Sequence, residues 1–355
     1  MERRSFFRLA GSAALIPALS LLPERSVHAC TRVLWNSNNL AVITGRTMDW
    51  PESTQPKIYA LPAGIARNGG KLGNFTIVQK NPLSWTSKYG SLVAGAYDLG
   101  AVDGVNEHGL AGHMLYLNST DYGARDASKP GLQAGLWLQY ALDNAASVTE
   151  ALALLAPIQI VMVEAHGHKA SLHLVLEDAG GDSAIIEYIN GQAVVHHNRD
   201  YTVVTNDPPY AEQLMLLKKM VETHAFQPLN RNTPLPGNVN PVDRFQRAAF
   251  FSHFLPQPQD TRQAIAAMFS IMANVSVPFG APYKDFSTYN TEYRSVTDLT
   301  NLTYYFQLAT VPSVSWTRLA GLDLKPGAQA LTFDPDALDV AGDVTARYIP
   351  VTPPF

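Results

Sequence analysis

The chain has 355 residues, of which 46% are hydrophobic and only 16% charged, ample apolar material for a large core. Its formal net charge is −4, and setting aside the basic leader (Arg3, Arg4, Arg8 and Arg25 against Glu2 and Glu24) makes it more negative, which argues against a nucleic-acid partner. The single cysteine, Cys30, excludes a disulfide framework within the chain and is either a reactive thiol or a buried inert one.

The first segment reads as an export signal. Arg3-Arg4-Ser5-Phe6-Phe7-Arg8 is a basic start with a twin arginine, and Leu9 to Leu22 is apolar but too short to span a bilayer. Val27 and Ala29 are small residues where a signal peptidase reads them, so cleavage after Ala29 would remove residues 1–29 and leave Cys30 as the first residue of a periplasmic protein. A lipoprotein, whose modified cysteine also follows the cut, is the alternative; His28 and Val27 fit that signal less well. Nothing after the leader reads as transmembrane, so stable membrane insertion is not expected.

From there the chain reads as one domain over residues 30–355. Thr31 to Trp35 and Leu40 to Arg46 form a hairpin around Asn36-Ser37-Asn38-Asn39. In the following Gly45-Arg46-Thr47-Met48-Asp49-Trp50, strand alternation puts Arg46 and Asp49 on opposite faces unless the chain kinks, and Trp50-Pro51 supports a break there. Thr86 to Tyr89 and Ser91 to Ala96 are expected strands, Asp103 to Gly109 a turn and Leu110 to Leu117 the next strand. Leu132 to Asn144 has helical spacing, and a second helix starts at Ser147 with Glu150 completing a capping box. Ile158 to Glu164, Ser171 to Leu176, Ser183 to Ile189 and Gln192 to His196 predict a meander. Ala211 to Val221, Arg244 to Phe254 and Thr261 to Met272 predict helices, Asn301 to Leu308 a strand, and Ile349 to Phe355 a Pro-rich arm. His166-Gly167-His168 lacks acidic or cysteine partners at ligand spacing and reads as an exposed turn; neither a metal site nor a cofactor is expected.

Several motifs carry a family resemblance. Cys30-Thr31-Arg32, Gly45 to Trp50, Asp103-Gly104-Val105-Asn106-Glu107-His108-Gly109-Leu110, Thr205-Asn206-Asp207-Pro208 and Asp243 to Phe250 resemble, in order and spacing, the choloylglycine hydrolase and penicillin V acylase family of N-terminal nucleophile hydrolases. Gly181 to Tyr188 and Trp85 to Ser91 look most like its exported Gram-negative penicillin V acylase branch. The resemblance implies an α+β fold, a four-layer αββα sandwich of the N-terminal nucleophile hydrolase type, and commonly a homotetramer. It implies Cys30 as nucleophile, Arg46, Asp49 and Arg244 as active-site residues, and the Asn206 side-chain amide as an oxyanion donor beside a main-chain N–H near Tyr116.

Physical chemistry agrees with those assignments. A thiol of pKa about 8.5 is mostly protonated at neutral pH, whereas an α-amine near ~8 accepts a proton, so a terminal Cys30 carries nucleophile and base together. A carboxylate can orient that amine, and a guanidinium beside the sulfur favours thiolate. Without the resemblance, Arg46 and Asp49 read more readily as a surface or structural ion pair; the alternatives for Asn206 and Arg244 are a turn cap before prolines and a partner of Asp243 or another surface acid.

Trp50 and Tyr116 would wall the substrate pocket. In the family, bile-salt hydrolases carry Asn at the position of Tyr116 and penicillin V acylases an aromatic residue. The expected activity is therefore amide hydrolysis in small N-acyl substrates, penicillin V or acyl-homoserine lactones, through a thioester. The alternatives are a conjugated bile-salt hydrolase and a non-catalytic, lipid-anchored periplasmic binding protein.

Overall fold

A computed structural model describes residues 30–355 apart from 225, 231, 233, 284–286, 289 and 338. The expected leader, residues 1–29, lies outside the described residues. Strands β1 (Thr31–Trp35) and β2 (Ile43–Trp50) form the expected hairpin, followed by β3 (Lys57–Leu61), β4 (Ser91–Ala96), β5 (Gly100–Asn106) and β6 (Ala111–Tyr116). Helices α1 (Trp137–Asn144) and α2 (Val148–Leu155) come next, then β7 (Leu172–Glu177), β8 (Ser183–Ile189), β9 (Gln192–His197) and β10 (Val203–Thr205). Helices α3 (Tyr210–His224), α4 (Pro241–His253) and α5 (Thr261–Asn274) precede β11 (Asn290–Asp298), β12 (Thr303–Leu308), β13 (Ser315–Arg318), β14 (Leu331–Phe333), β15 (Gly342–Asp343) and β16 (Ile349–Pro350).

The strands assemble into a seven-stranded sheet ordered β10-β1-β2-β11-β12-β13-β15 and a nine-stranded sheet ordered β9-β8-β7-β6-β5-β4-β3-β14-β16. Helices α4 and α5 pack on β10, β1, β2 and β11, with α3 against α4, while α1 packs on β5 and β6 with α2 beside it. The result is the αββα sandwich, with the sheets face to face and helices on both outer sides. Alternation in β4 shows why both faces of a central strand must be apolar: buried Leu92 joins Val33, Ile43 and Phe245 in one core, and its neighbour Val93 joins Trp137, Leu138 and Leu174 in the other. Gly45 lets α5 approach β2, since a Cβ there would sit 2.7 Å from Met268 Cγ.

Helix starts follow their caps. Ser147 Oγ accepts from the Glu150 amide at 3.2 Å, as expected, and Asn240 Oδ1 accepts from the Asp243 amide at 2.9 Å with Pro241 in the first turn. That cap starts α4 three residues before the expected Arg244, so Arg244, Phe245 and Ala248 fall on its buried face.

Other expectations shift. Thr86 to Tyr89 is no strand beyond the end of Ser84–Thr86, and Asp103 to Asn106 belong to β5, leaving Glu107 to Gly109 as the turn. The helical spacing from Leu132 begins as a short strand, Gly131–Gln133, and a 3-10 turn before α1. The expected C-terminal arm is docked: Ile349–Pro350 pairs with Leu331–Thr332, and the Phe355 ring meets Tyr59 edge-on at 5.9 Å. No helix among the described residues is long and apolar enough to cross a membrane.

Charged groups cross between the sheets beneath β1. The His113 imidazole on β6 lies between two carboxylates, Asp103 Oδ1 at 2.8 Å and Glu177 Oε1 at 2.6 Å, and Arg32 Nε lies 3.4 Å from the other Glu177 oxygen. Thr44 of β2 donates to Glu177 at 2.6 Å, and Tyr304 of β12 donates to Asp103 at 2.9 Å. Burial alone would raise the Glu177 carboxyl, but His113 and Arg32 outweigh it and hold its pKa down at about 2. Against an unfolded carboxyl near ~4.3, this stabilises the fold above that pH and is lost as pH falls toward 2. Glu177→Gln should therefore cost about 3–5 kcal/mol at neutral pH, because it leaves the buried Arg32 guanidinium without its carboxylate and His113 with only Asp103. Urea titrations from pH 7 to 2.5 should show that deficit narrowing below about pH 4.5; a deficit independent of pH would contradict the ion-pair origin.

Candidate active site

Register brings the sequence-predicted residues together. Thr31 lies opposite Thr47 in β2 and opposite Thr205 in β10, so Cys30, one step earlier, is level with Met48 on one side and Asn206 on the other. Alternation sends Arg46 toward the second sheet, where its Nη2 reaches Met114 O at 2.8 Å, Met48 Sδ at 3.0 Å and Cys30 Sγ at 4.0 Å, and its Nη1 donates to Val102 O. Thr31 and Thr47 face the opposite side, toward α4.

Asp49, two residues after Thr47, joins that opposite side by alternation along β2, which runs unbroken to Trp50; the register shift at Met48/Asp49 leaves the extra residue, Glu292, on β11, so the kink considered between Arg46 and Asp49 does not form. Its Oδ2 accepts from Thr47 Oγ1 at 3.0 Å and from Arg244 Nη1 at 2.6 Å, and its Oδ1 accepts from Thr291 Oγ1. The Asp49 main-chain oxygen lies 3.8 Å from Cys30 Sγ. Arg46 and Asp49 thus approach Cys30 from the two faces of one strand. Arg244 spans from Asp49 to Thr31 Oγ1 at 2.7 Å, fully buried, so the surface pairing with Asp243 that the sequence allowed is not what forms. Asp243 instead accepts from the Asn238 amide at 2.9 Å.

Asn206 follows the end of β10. Its Oδ1 accepts from the Cys30 main-chain nitrogen, and its buried Nδ2 has no hydrogen-bond partner among the described residues. A buried N–H without a partner is costly, so this amide is left with an unmet need for an acceptor.

The electrostatics around the thiol are mixed. Burial pushes the Cys30 pKa up, Arg46 pulls it back and the Asp49 charge adds to the rise, leaving it above the ordinary thiol value. Arg46 therefore favours thiolate, as expected, but burial prevails. Burial would also weaken Arg46's hold on its proton, yet Tyr293, Cys30 and Asp103 more than offset this and keep it cationic. A thiol in this setting needs a base at the moment it reacts.

Cys30 opens into a pocket of about 130 Å³ lined by Met48, Trp50, Tyr116, Leu99, Met114 and Leu172 among others. Trp50 packs at 5.8 Å from the Tyr116 ring, and its Nε1 donates to Tyr97 Oη at 2.9 Å, which in turn donates to Glu52 at 2.6 Å. The expected aromatic wall is present and is pinned at its polar edge. His166-Gly167 does form a turn, with φ of 53° and 78°, but His168 packs edge-on to Trp50 at 5.1 Å and lines the pocket instead of belonging wholly to the turn. No group of His, Cys, Asp and Glu arranged to hold a metal ion occurs among the described residues.

Sequence reasoning missed the hydroxyls of Thr31, Thr47 and Thr291 that complete the Asp49–Arg244 pair. Alternation from Arg46 could have placed Thr47 on the face of Thr31; Thr291, far along the chain, carries no local signal.

The chain as a whole resembles known proteins. The chain matches the linear amide C–N hydrolases, choloylglycine hydrolase family, over residues 30–340. It is 35% identical to the penicillin V acylase of Pectobacterium atrosepticum, over 92% of this chain and 91% of that protein. The structure of penicillin V acylase from Agrobacterium tumefaciens superposes with a TM-score of 0.80 at 36% identity, covering 91% of this chain and 98% of that one. A mutant form of the conjugated bile acid hydrolase from Clostridium perfringens shares the fold with a TM-score of 0.75 at 22% identity, covering 88% and 98%. With its match running through all of these site residues, the chain belongs to the choloylglycine hydrolase family and is a hydrolase of linear amides.

Proposed function

We propose that the chain is exported to the periplasm, loses residues 1–29, and hydrolyses the amide bond of small N-acyl substrates with Cys30 as nucleophile. The observation that carries this reading is Asn206: its carbonyl oxygen takes the Cys30 nitrogen while its buried Nδ2 is left without a partner beside Cys30. That is what an oxyanion donor needs, and such a donor contributes about 3–4 kcal/mol in favourable cases. The family match beginning at residue 30 supports Cys30 as the first residue of the mature chain.

In the proposed sequence, the free Cys30 α-amine takes the thiol proton and the thiolate attacks the substrate carbonyl carbon. The oxyanion accepts from Asn206 Nδ2. The ammonium then protonates the departing amine as the C–N bond breaks, leaving a thioester. Water, deprotonated by the same amine, releases the acid and returns the thiol. Arg46 holds its positive charge at the sulfur, and the Asp49–Arg244 pair fixes the strand end from the other face.

The substrate class we propose rests on pocket size. A cavity of about 130 Å³ is close to the ~150 Å³ engineered site that takes benzene, so one aromatic ring or a run of methylenes fits. A steroid acid would have to displace Trp50 or Tyr116. The proposed acyl groups are therefore phenoxyacetyl, as in penicillin V, or the acyl chains of homoserine lactones.

Processing gives one test. A form retaining residues 1–29 should be inactive, and a Met-Cys30 form should gain activity when the Met is removed, measured by amine release; activity in the unprocessed form would refute the terminal amine as base. Cys30→Ser should keep its melting temperature yet lose most turnover, because the amine is poorly matched to a hydroxyl. Substrate ranking gives another. Acyl-homoserine lactone kcat/KM should rise with each methylene, by up to ~0.8 kcal/mol, and then flatten. Penicillin V or those lactones should rank well above glycocholate, and the reverse order would restore the bile-salt reading.

A further inference from the structure

We infer that Gln213 is a positioning residue that sets the oxyanion donor Asn206, an inference resting on the role proposed above for Asn206. Gln213 lies in the first turn of α3, 1% exposed. Its Nε2 gathers three main-chain oxygens of the segment carrying Asn206: Pro208 at 2.7 Å, Thr205 at 3.1 Å and Asn206 itself at 3.2 Å. Its Oε1 accepts from Thr205 Oγ1 at 2.7 Å. The amide orientation is fixed by this set, because only the NH2 group can face three carbonyls.

The consequence follows from what is left for Asn206. Its main-chain oxygen is held by Gln213 and its side-chain oxygen by the Cys30 nitrogen, so within its side chain the uncommitted group is Nδ2. Thr205, which Gln213 also grips, pairs in the sheet with Thr31, next to Cys30, and its Oγ1 lies 3.1 Å from Pro241 O at the start of the helix that carries Arg244. One buried amide thereby sets β10 and the Asn206 segment against the start of α3. The anchor behind it is firm: the Tyr210 amide donates to Glu187 Oε1 at 2.9 Å, tying the start of α3 to β8. A shift of a few tenths of an ångström in Asn206 would leave Cys30 in place but misdirect the donor, so the loss should fall on kcat.

A double-mutant cycle on the mature enzyme tests this. Asn206→Ala alone should lower kcat by about 10²–10³-fold. Gln213→Met, similar in length but without the hydrogen bonds, should lower kcat by roughly ten-fold or more with KM little changed, and should add no further loss in the Asn206→Ala background. Equal fold losses in both backgrounds would make Gln213 structural and overturn the inference while leaving Asn206 its role; a harmless Asn206→Ala would overturn both. Gln213→Glu serves if the Met variant does not fold. It presents no donor when ionised and an O–H when protonated, so its kcat relative to wild type should climb as pH is lowered, whereas a ratio independent of pH would overturn the inference.

Discussion

The Asp49 carboxylate lies wholly inside the protein with a guanidinium 2.6 Å away, and the geometry of the site depends on that pair. Asp49 is on the strand beside Cys30, and Arg244 is on a helix of the outer layer. Two charges withdrawn from water repay their desolvation only with close contact and satisfied remaining bonds. Thr47 and Thr291 supply those bonds to Asp49, and Thr31 supplies one to Arg244. These five residues come from four elements, so satisfying one buried charge fixes α4, β1, β2 and β11 relative to the residue that carries the sulfur.

The opposite face of the same strand is organised by a second guanidinium. Arg46 donates to main-chain oxygens of Val102 and Met114 on the nine-stranded sheet, so the cation near the sulfur also ties the two sheets together. The thiol therefore stands between a cation on one side and an ion pair on the other, in the wall of an apolar pocket. Burial raises its pKa despite Arg46, which keeps it neutral until a base acts. In a chain that starts at Cys30, the nearest base is its own amine, and the Asn206 oxygen that accepts from this nitrogen would orient it.

Much of the site was legible because its members stand on local motifs. The hairpin from Thr31, the alternation that puts Arg46 and Asp49 on opposite faces, the strand end before Asn206 and the amphipathic helix with Arg244 each announce themselves within a few residues. What was hidden depends on distant partners. The strand Asn290–Asp298, central in its sheet, is rich in polar residues because its neighbours are polar: Thr291 answers Asp49, 242 residues away, and Ser295 answers Asp103. A hydrophobicity pattern cannot show that. Asp103-Gly104 likewise reads as a turn, yet Asp103 stays in β5 because His113 and Tyr304 satisfy it there. His168 looked like part of an exposed turn because nothing nearby in sequence foretells its contact with Trp50.

In the proposed mechanism Cys30, freed at its amine, carries the acyl group on its sulfur as a thioester. Mature enzyme mixed with a penicillin V or acyl-homoserine lactone substrate, quenched in acid within the first turnovers and analysed by intact and peptide mass, tests it most directly. The expected result is an increment equal to the acyl group on the peptide that begins at Cys30, removable by hydroxylamine as a thioester is. An acyl group on any other peptide, or on a chain that still carries Ala29, would contradict it.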